Sequence, residues 1–133
     1  MNTIPDLQLS QELQELYLEN KEWRSEIDFL KDEHRFFTKL LNAEKLATIR
    51  HGKEQIEMIG TNLALLQQKI DDLENLTSKH QHLLESILSD NEKHIGLELI
   101  EQNAAISKEI KFLLASDRQI KKDLFSLVEG VKI

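Results

Sequence analysis

The chain contains no cysteine, one proline, four glycines and two valines. Without cysteine there can be no disulfide, no thiolate metal site and no cysteine nucleophile. So few glycines and prolines cannot supply the turns of an all-β fold, whose many short strands each need one. Basic charge is scarce as well. Lys and Arg number 17 against 24 Asp and Glu, a formal charge of −7, so the electrostatic footprint of a nucleic-acid-binding protein is missing. Long apolar runs are also missing. The longest are Leu63–Leu66 and Phe112–Ala115, far short of the roughly 20 residues a bilayer-crossing helix requires, so no membrane partner is expected. The first ten residues lack the basic and apolar segments of a secretory signal, and the expectation is a cytoplasmic protein.

What the chain has in abundance is helix-forming residues. Leu, Glu, Lys, Ala and Arg make up 62 of its 133 residues, close to the roughly half that marks long helices. A chain of this length is expected to form one domain, here a helical bundle over residues 1–133.

Alternating steps of four and three residues reveal three apolar seams. The first runs Leu9, Leu13, Leu16, Asn20, Trp23, Ile27, Leu30, His34, Phe37 and Leu41. The second starts at Ile49 and Gly52 and continues Ile56, Ile59, Leu63, Leu66, Ile70, Leu73, Thr77, His80, Leu84 and Ile87. The third runs Leu99, Asn103, Ile106, Ile110, Leu113, Asp117, Ile120, Leu124, Leu127 and Val131. A period of 3.5 sustained this long keeps one stripe of a helix facing its neighbours, and strands cannot produce it.

The seams are out of phase with one another, and each break in phase marks a chain reversal. At the second break, Ser89-Asp90-Asn91-Glu92 has the form of a capping box, in which Ser89 accepts the Glu92 amide hydrogen and the Glu92 side chain reaches back. At the first break three readings are open: Asn42 caps the second helix, Gly52 ends the first, or one residue is absorbed as a skip in a continuous helix. Gly60-Thr61 looks like a further break, but the heptad passes through it in phase. Helices are therefore expected over about 8–41 (or to about 50), about 44 or 53 to 88, and about 91–129.

Apolar residues also flank the seams: Leu18, Phe29, Phe36, Leu40, Leu65, Leu76, Leu83, Ile100, Phe112, Leu114, Phe125 and Val128. A two-stranded coiled coil buries a narrow seam only, whereas faces this wide suit helices with two or more neighbours. Short connections make successive helices antiparallel. The expected fold is all-α: long antiparallel helices with heptad seams in an up-down-up three-helix coiled-coil bundle, completed by dimerisation. Trp23 at a seam position of the first helix resembles the arrangement in spectrin-type repeats, so the bundle is spectrin-like in this respect.

Polar residues interrupt the seams at Asn20, His34, Thr77, His80, Asn103 and Asp117. In such positions they set register and oligomeric state at some cost in stability. With Trp23 and the flanking aromatics, the residues singled out for interface and register are Asn20, Trp23, Phe29, His34, Phe36, His80, Asn103, Phe112, Asp117 and Phe125.

The competing reading of the histidines is a metal or small-ligand site. The segment Leu30–Leu41, with His34 within it, resembles the first iron-ligand helix of hemerythrin-like domains, and His94 and Glu98 have the His-x-x-x-Glu spacing those domains use. That resemblance implies a four-helix fold with paired histidines four apart on one helix, which this sequence lacks. Heptad phase also puts His82 and His94 on outer positions, and the antiparallel course of the first two helices separates His34 from His80. His80, His82, Glu85, His94 and Glu98 gather around the Ser89 turn, where imidazole and carboxylate ligands could take zinc.

No catalytic constellation stands out. The chain has no phosphate loop, no Gly-x-Ser-x-Gly and no His-Glu-x-x-His. Adjacent acids such as Asp32-Glu33 and Asp71-Asp72 point about 100° apart on a helix and read as solvated faces. Arg118, Lys121 and Lys122 form a small basic cluster opposed by Asp117 and Asp123. The sequence thus points to a non-enzymatic interaction or scaffold protein without cofactor, whose expected partners are a second copy in a homodimer and another protein.

Overall fold

The computed structural model describes residues 3–47, 53–89 and 96–129. They form three helices, α1 (Thr3–Ala47), α2 (Lys53–Ser89) and α3 (Leu97–Glu129), and the protein is an all-α three-helix bundle. Among the described residues there is no strand, and no helix is long and apolar enough to cross a membrane.

Each helix begins and ends where its chemistry permits. Pro5 falls in the first turn of α1, where its missing N–H would have had no intrahelical acceptor. Lys45 sits in the last turn of α1, and Glu54 and Glu98 sit in the first turns of α2 and α3, each complementing the helix dipole. α2 passes through Gly60 without interruption, as the unbroken heptad phase requires.

α1 starts at Thr3 rather than about 8, and its end at Ala47 with α2 from Lys53 follows the later of the two expected placings of the first turn. α1 continues past Asn42 to Ala47, so Asn42 caps nothing. Leu41 is buried, and the Ala43-Glu44-Lys45 that follows favours helix, which carries α1 on for more than a turn. Gly52 lies outside the described residues. α3 starts at Leu97 rather than near 91: the Gly96 carbonyl accepts the Ile100 N–H at 3.3 Å, and glycine is tolerated at that capping position. Ser89 is the last residue of α2, and the remainder of the expected capping box lies outside the described residues.

The chain divides into two compact units, each built from stretches of all three helices: Met1–Ile27 with Asp72–Ile110, and Asp28–Asp71 with Lys111–Ile133. In the first, Leu13, Leu84, Ile87 and Leu99 form a buried cluster with Leu16 and Tyr17 against it. Asn20, seven residues along α1 from Leu13, meets Thr77, seven residues back along α2 from Leu84, so these two helices run antiparallel. In the second unit, His34 meets Leu63 and Leu41 lies 3.7 Å from where a Cβ on Gly60 would stand, again an antiparallel pairing. Its core comprises Leu30, Phe37, Leu41, Ile56, Ile59, Leu63, Leu66, Ile70, Leu113, Ile120, Leu124 and Leu127. Every one of these core side chains belongs to a heptad seam.

Candidate functional site

Three features bear on function: a polar layer in the first unit, a carboxyl pair in the second, and a set of exposed aromatic side chains.

The polar layer is formed by Asn20, Thr77, His80 and Asn103. Asn20 is fully buried and donates from Nδ2 to the Thr77 backbone oxygen at 3.3 Å, while its Oδ1 has no partner. The Thr77 hydroxyl is satisfied locally by the Glu74 carbonyl at 3.1 Å. Asn103 donates to Glu19 Oε1 at 2.7 Å, and its Oδ1 is likewise unpaired. His80 is buried with both ring nitrogens lacking a well-directed hydrogen bond. Burial lowers its pKa, and the nearby amides of Asn103 and Gln102 offset this in part. The layer is thus only partly satisfied. That arrangement tolerates one register and costs stability in it.

In the second unit, His34 is half-buried and its Nε2 lies 2.8 Å from the Leu63 carbonyl oxygen, while its own carbonyl accepts the Thr38 hydroxyl at 2.9 Å. Asp117 is buried, and its carboxyl is pushed up to about 7 by desolvation, reinforced by a hydrogen bond to Glu33 and the Glu33 charge; Lys121 and Arg118 oppose the shift. Lys121 reaches Glu33 Oε1 at 3.4 Å. The Glu33 and Asp117 side chains meet at the α1–α3 interface of this unit, with the Lys121 ammonium group beside Glu33.

This revises the reading of Asp32-Glu33 as a solvated face. Asp32 is exposed and pairs with Arg35 on the next turn, but the Glu33 side chain is only 14% exposed and turns towards Asp117. Nothing in a heptad count marks Glu33, since it sits one position before His34. The usable signal is spacing. Glu19 and Asn103 are 84 residues apart, and so are Glu33 and Asp117, the offset expected of the parallel helices α1 and α3.

Among the aromatics, Trp23 is buried as its seam position requires, and Phe29, Phe36, Phe112 and Phe125 are not. They are 40–54% exposed, in company with Leu18, Leu65, Leu76, Leu83, Ile100 and Val128. Phe112 carries the Lys69 ammonium 5.0 Å above its ring, and the Phe36 ring is tilted 55° to that of Phe37 with centroids 5.9 Å apart. Three helices of this width close their core with seam residues, which leaves most flanking residues outside, while Leu40 and Leu114 are half-buried.

Among the described residues no three His, Asp or Glu side chains converge as metal ligands. His82 is exposed, 3.8 Å from Glu85, while His51 and His94 lie outside the described residues. Compared with family models, curated proteins and solved structures, the chain matches none.

Proposed function

We propose that the protein is a non-enzymatic helical-bundle interaction or scaffold protein that acts through protein–protein contacts and self-association, in a cytoplasmic setting. The observation that carries this is the exposure of Phe29, Phe36, Phe112 and Phe125 on helices whose core is already complete without them. An aromatic side chain left half in water forgoes on the order of 1 kcal/mol or more of available burial. Large apolar side chains left in this number on the outside of a bundle commonly mark interfaces. The partly satisfied polar seams fit the same role, because residues of this kind favour one pairing over slipped alternatives. Sedimentation equilibrium of the full chain at micromolar concentration tests the reading. A mass near twice 15.5 kDa supports self-association. A concentration-independent mass of one chain overturns it.

One observation favours a second reading, a small-ligand or metal-binding role: both ring nitrogens of buried His80 lack a well-directed partner. Equilibrium dialysis with Zn²⁺ separates the two, since stoichiometric uptake abolished by His80→Leu would establish binding there.

A further inference from the structure

The basic cluster on α3 lines a shallow groove from which both acids that oppose it in sequence are absent. Of the two acids that oppose it in sequence, Asp117 is turned inward to Glu33, and Asp123 accepts a hydrogen bond from Gln119 at 2.9 Å. Lys121 is committed to Glu33. Arg118 and Lys122 remain exposed on the outer face of α3, in a shallow groove that also holds Ala115, Ser126 and the half-exposed Phe125. Glu129 is the one acid in its lining.

The first unit carries the opposite surface. A groove there is lined by Glu12, Glu15 and Glu19 of α1 around two apolar residues, Leu16 and Ile100, with no basic side chain. The sequence beneath it is acidic throughout, since residues 1–20 hold four acids and no base.

We propose that the occupant of the basic groove is a second copy of this chain, docked so that Arg118, Lys122 and Phe125 of one copy lie against Glu12, Glu15 and Ile100 of the other. The inference rests on the self-association proposed above and assigns it a surface. Each groove pairs an apolar centre with charge of a single predominant sign, and the signs are opposite, so apolar burial supplies affinity while the charges select orientation. Both halves of the complementary pair are present in every molecule. A chain of net charge −7 also repels its copies except where such a basic surface meets an acidic one. A twofold dimer is the smallest closed assembly that forms such contacts, larger rings close likewise, and an operator that does not close extends into chains of copies.

The test uses two full-length variants, Arg118→Glu with Lys122→Glu, and Glu12→Lys with Glu15→Lys. All four positions are exposed, so both variants are expected to retain the parent's helical circular dichroism and melting behaviour. Each variant alone should associate at least about tenfold more weakly than the parent, because like charges then face each other. An equimolar mixture should regain association, since native and swapped charge pairs both form. If the Arg118/Lys122 variant associates as the parent does, or if mixing restores nothing, this surface assignment is overturned while self-association stands. If the parent itself is monomeric, both proposals fail.

Discussion

Asp117 and His80 make opposite demands on pH. The Asp117 carboxyl titrates near 7 in the folded chain against 3.8 when free, so the folded state resists ionisation that the unfolded state accepts. The stability linked to it is complete below about pH 4 and is lost as pH rises through 7. His80 has a lowered pKa, so its contribution is complete above 6.5 and is lost as pH falls below that. Asp117→Asn removes the first titration at nearly constant volume. It should match the parent at pH 4 and exceed it by roughly 1–3 kcal/mol at pH 8, measured by urea unfolding at both. The His80 effect is common to both chains and drops out of the difference. Asn20 invites a second substitution. Its unpaired Oδ1 is fully buried, so Asn20→Leu should raise stability by about 1 kcal/mol in thermal unfolding and broaden the distribution of associated species. A loss of stability would show instead that the bond to Thr77 outweighs the orphaned oxygen. That these residues face inward was legible from their heptad positions. Their partners were not, because Glu33 and Glu19 lie off the seams and meet α3 only through the helix offset.

For the elements, the heptad was informative about faces and poor about ends. Seam positions depend on a repeat that recurs along tens of residues, so one deviant residue does not hide it. A boundary depends on a few residues and on what packs against them. Asn42 has the chemistry of a cap, yet α1 runs through it, because buried Leu41 and the helix formers after it extend the helix to Ala47. Gly60 shows the converse: a residue suited to a break stands in mid-helix because the seam on both sides of it is buried. A Cβ there would meet Leu41 at 3.7 Å, an ordinary contact. Gly60→Ala should therefore stabilise the chain by about 0.5–1 kcal/mol through helix propensity, read as a higher melting temperature with unchanged circular dichroism. A decrease would mean that Leu41 cannot yield the space.

At the scale of the whole molecule, the expectation of a dimer came from counting more aromatic residues than three slender helices can hide. The three-helix arrangement leaves Phe29, Phe36, Phe112 and Phe125 outside, which is the condition on which that expectation rests. Phe125 is 40% exposed and lies in the groove assigned to the second copy, so Phe125→Glu should leave the fold intact while weakening association about tenfold or more in sedimentation equilibrium. Unchanged association would place the contact away from this groove.

The sequence by itself determined the helical class, the three seams and the identity of the core, because a 3.5-residue period of large aliphatic side chains has only one way to leave water. It also marked Asn20, Thr77, His80 and Asp117 for burial, while the other polar seam members, His34 and Asn103, are half-buried. Only the tertiary structure decided how those groups are satisfied: that Glu33 leaves the surface beside Asp117, that Asn20 and Asn103 each keep one oxygen unpaired, and that Asp117 no longer offsets the basic face of α3. These outcomes depend on which turn of one helix lies level with which turn of another. That level is set by the packing of many side chains at once, and no local pattern in the chain records it.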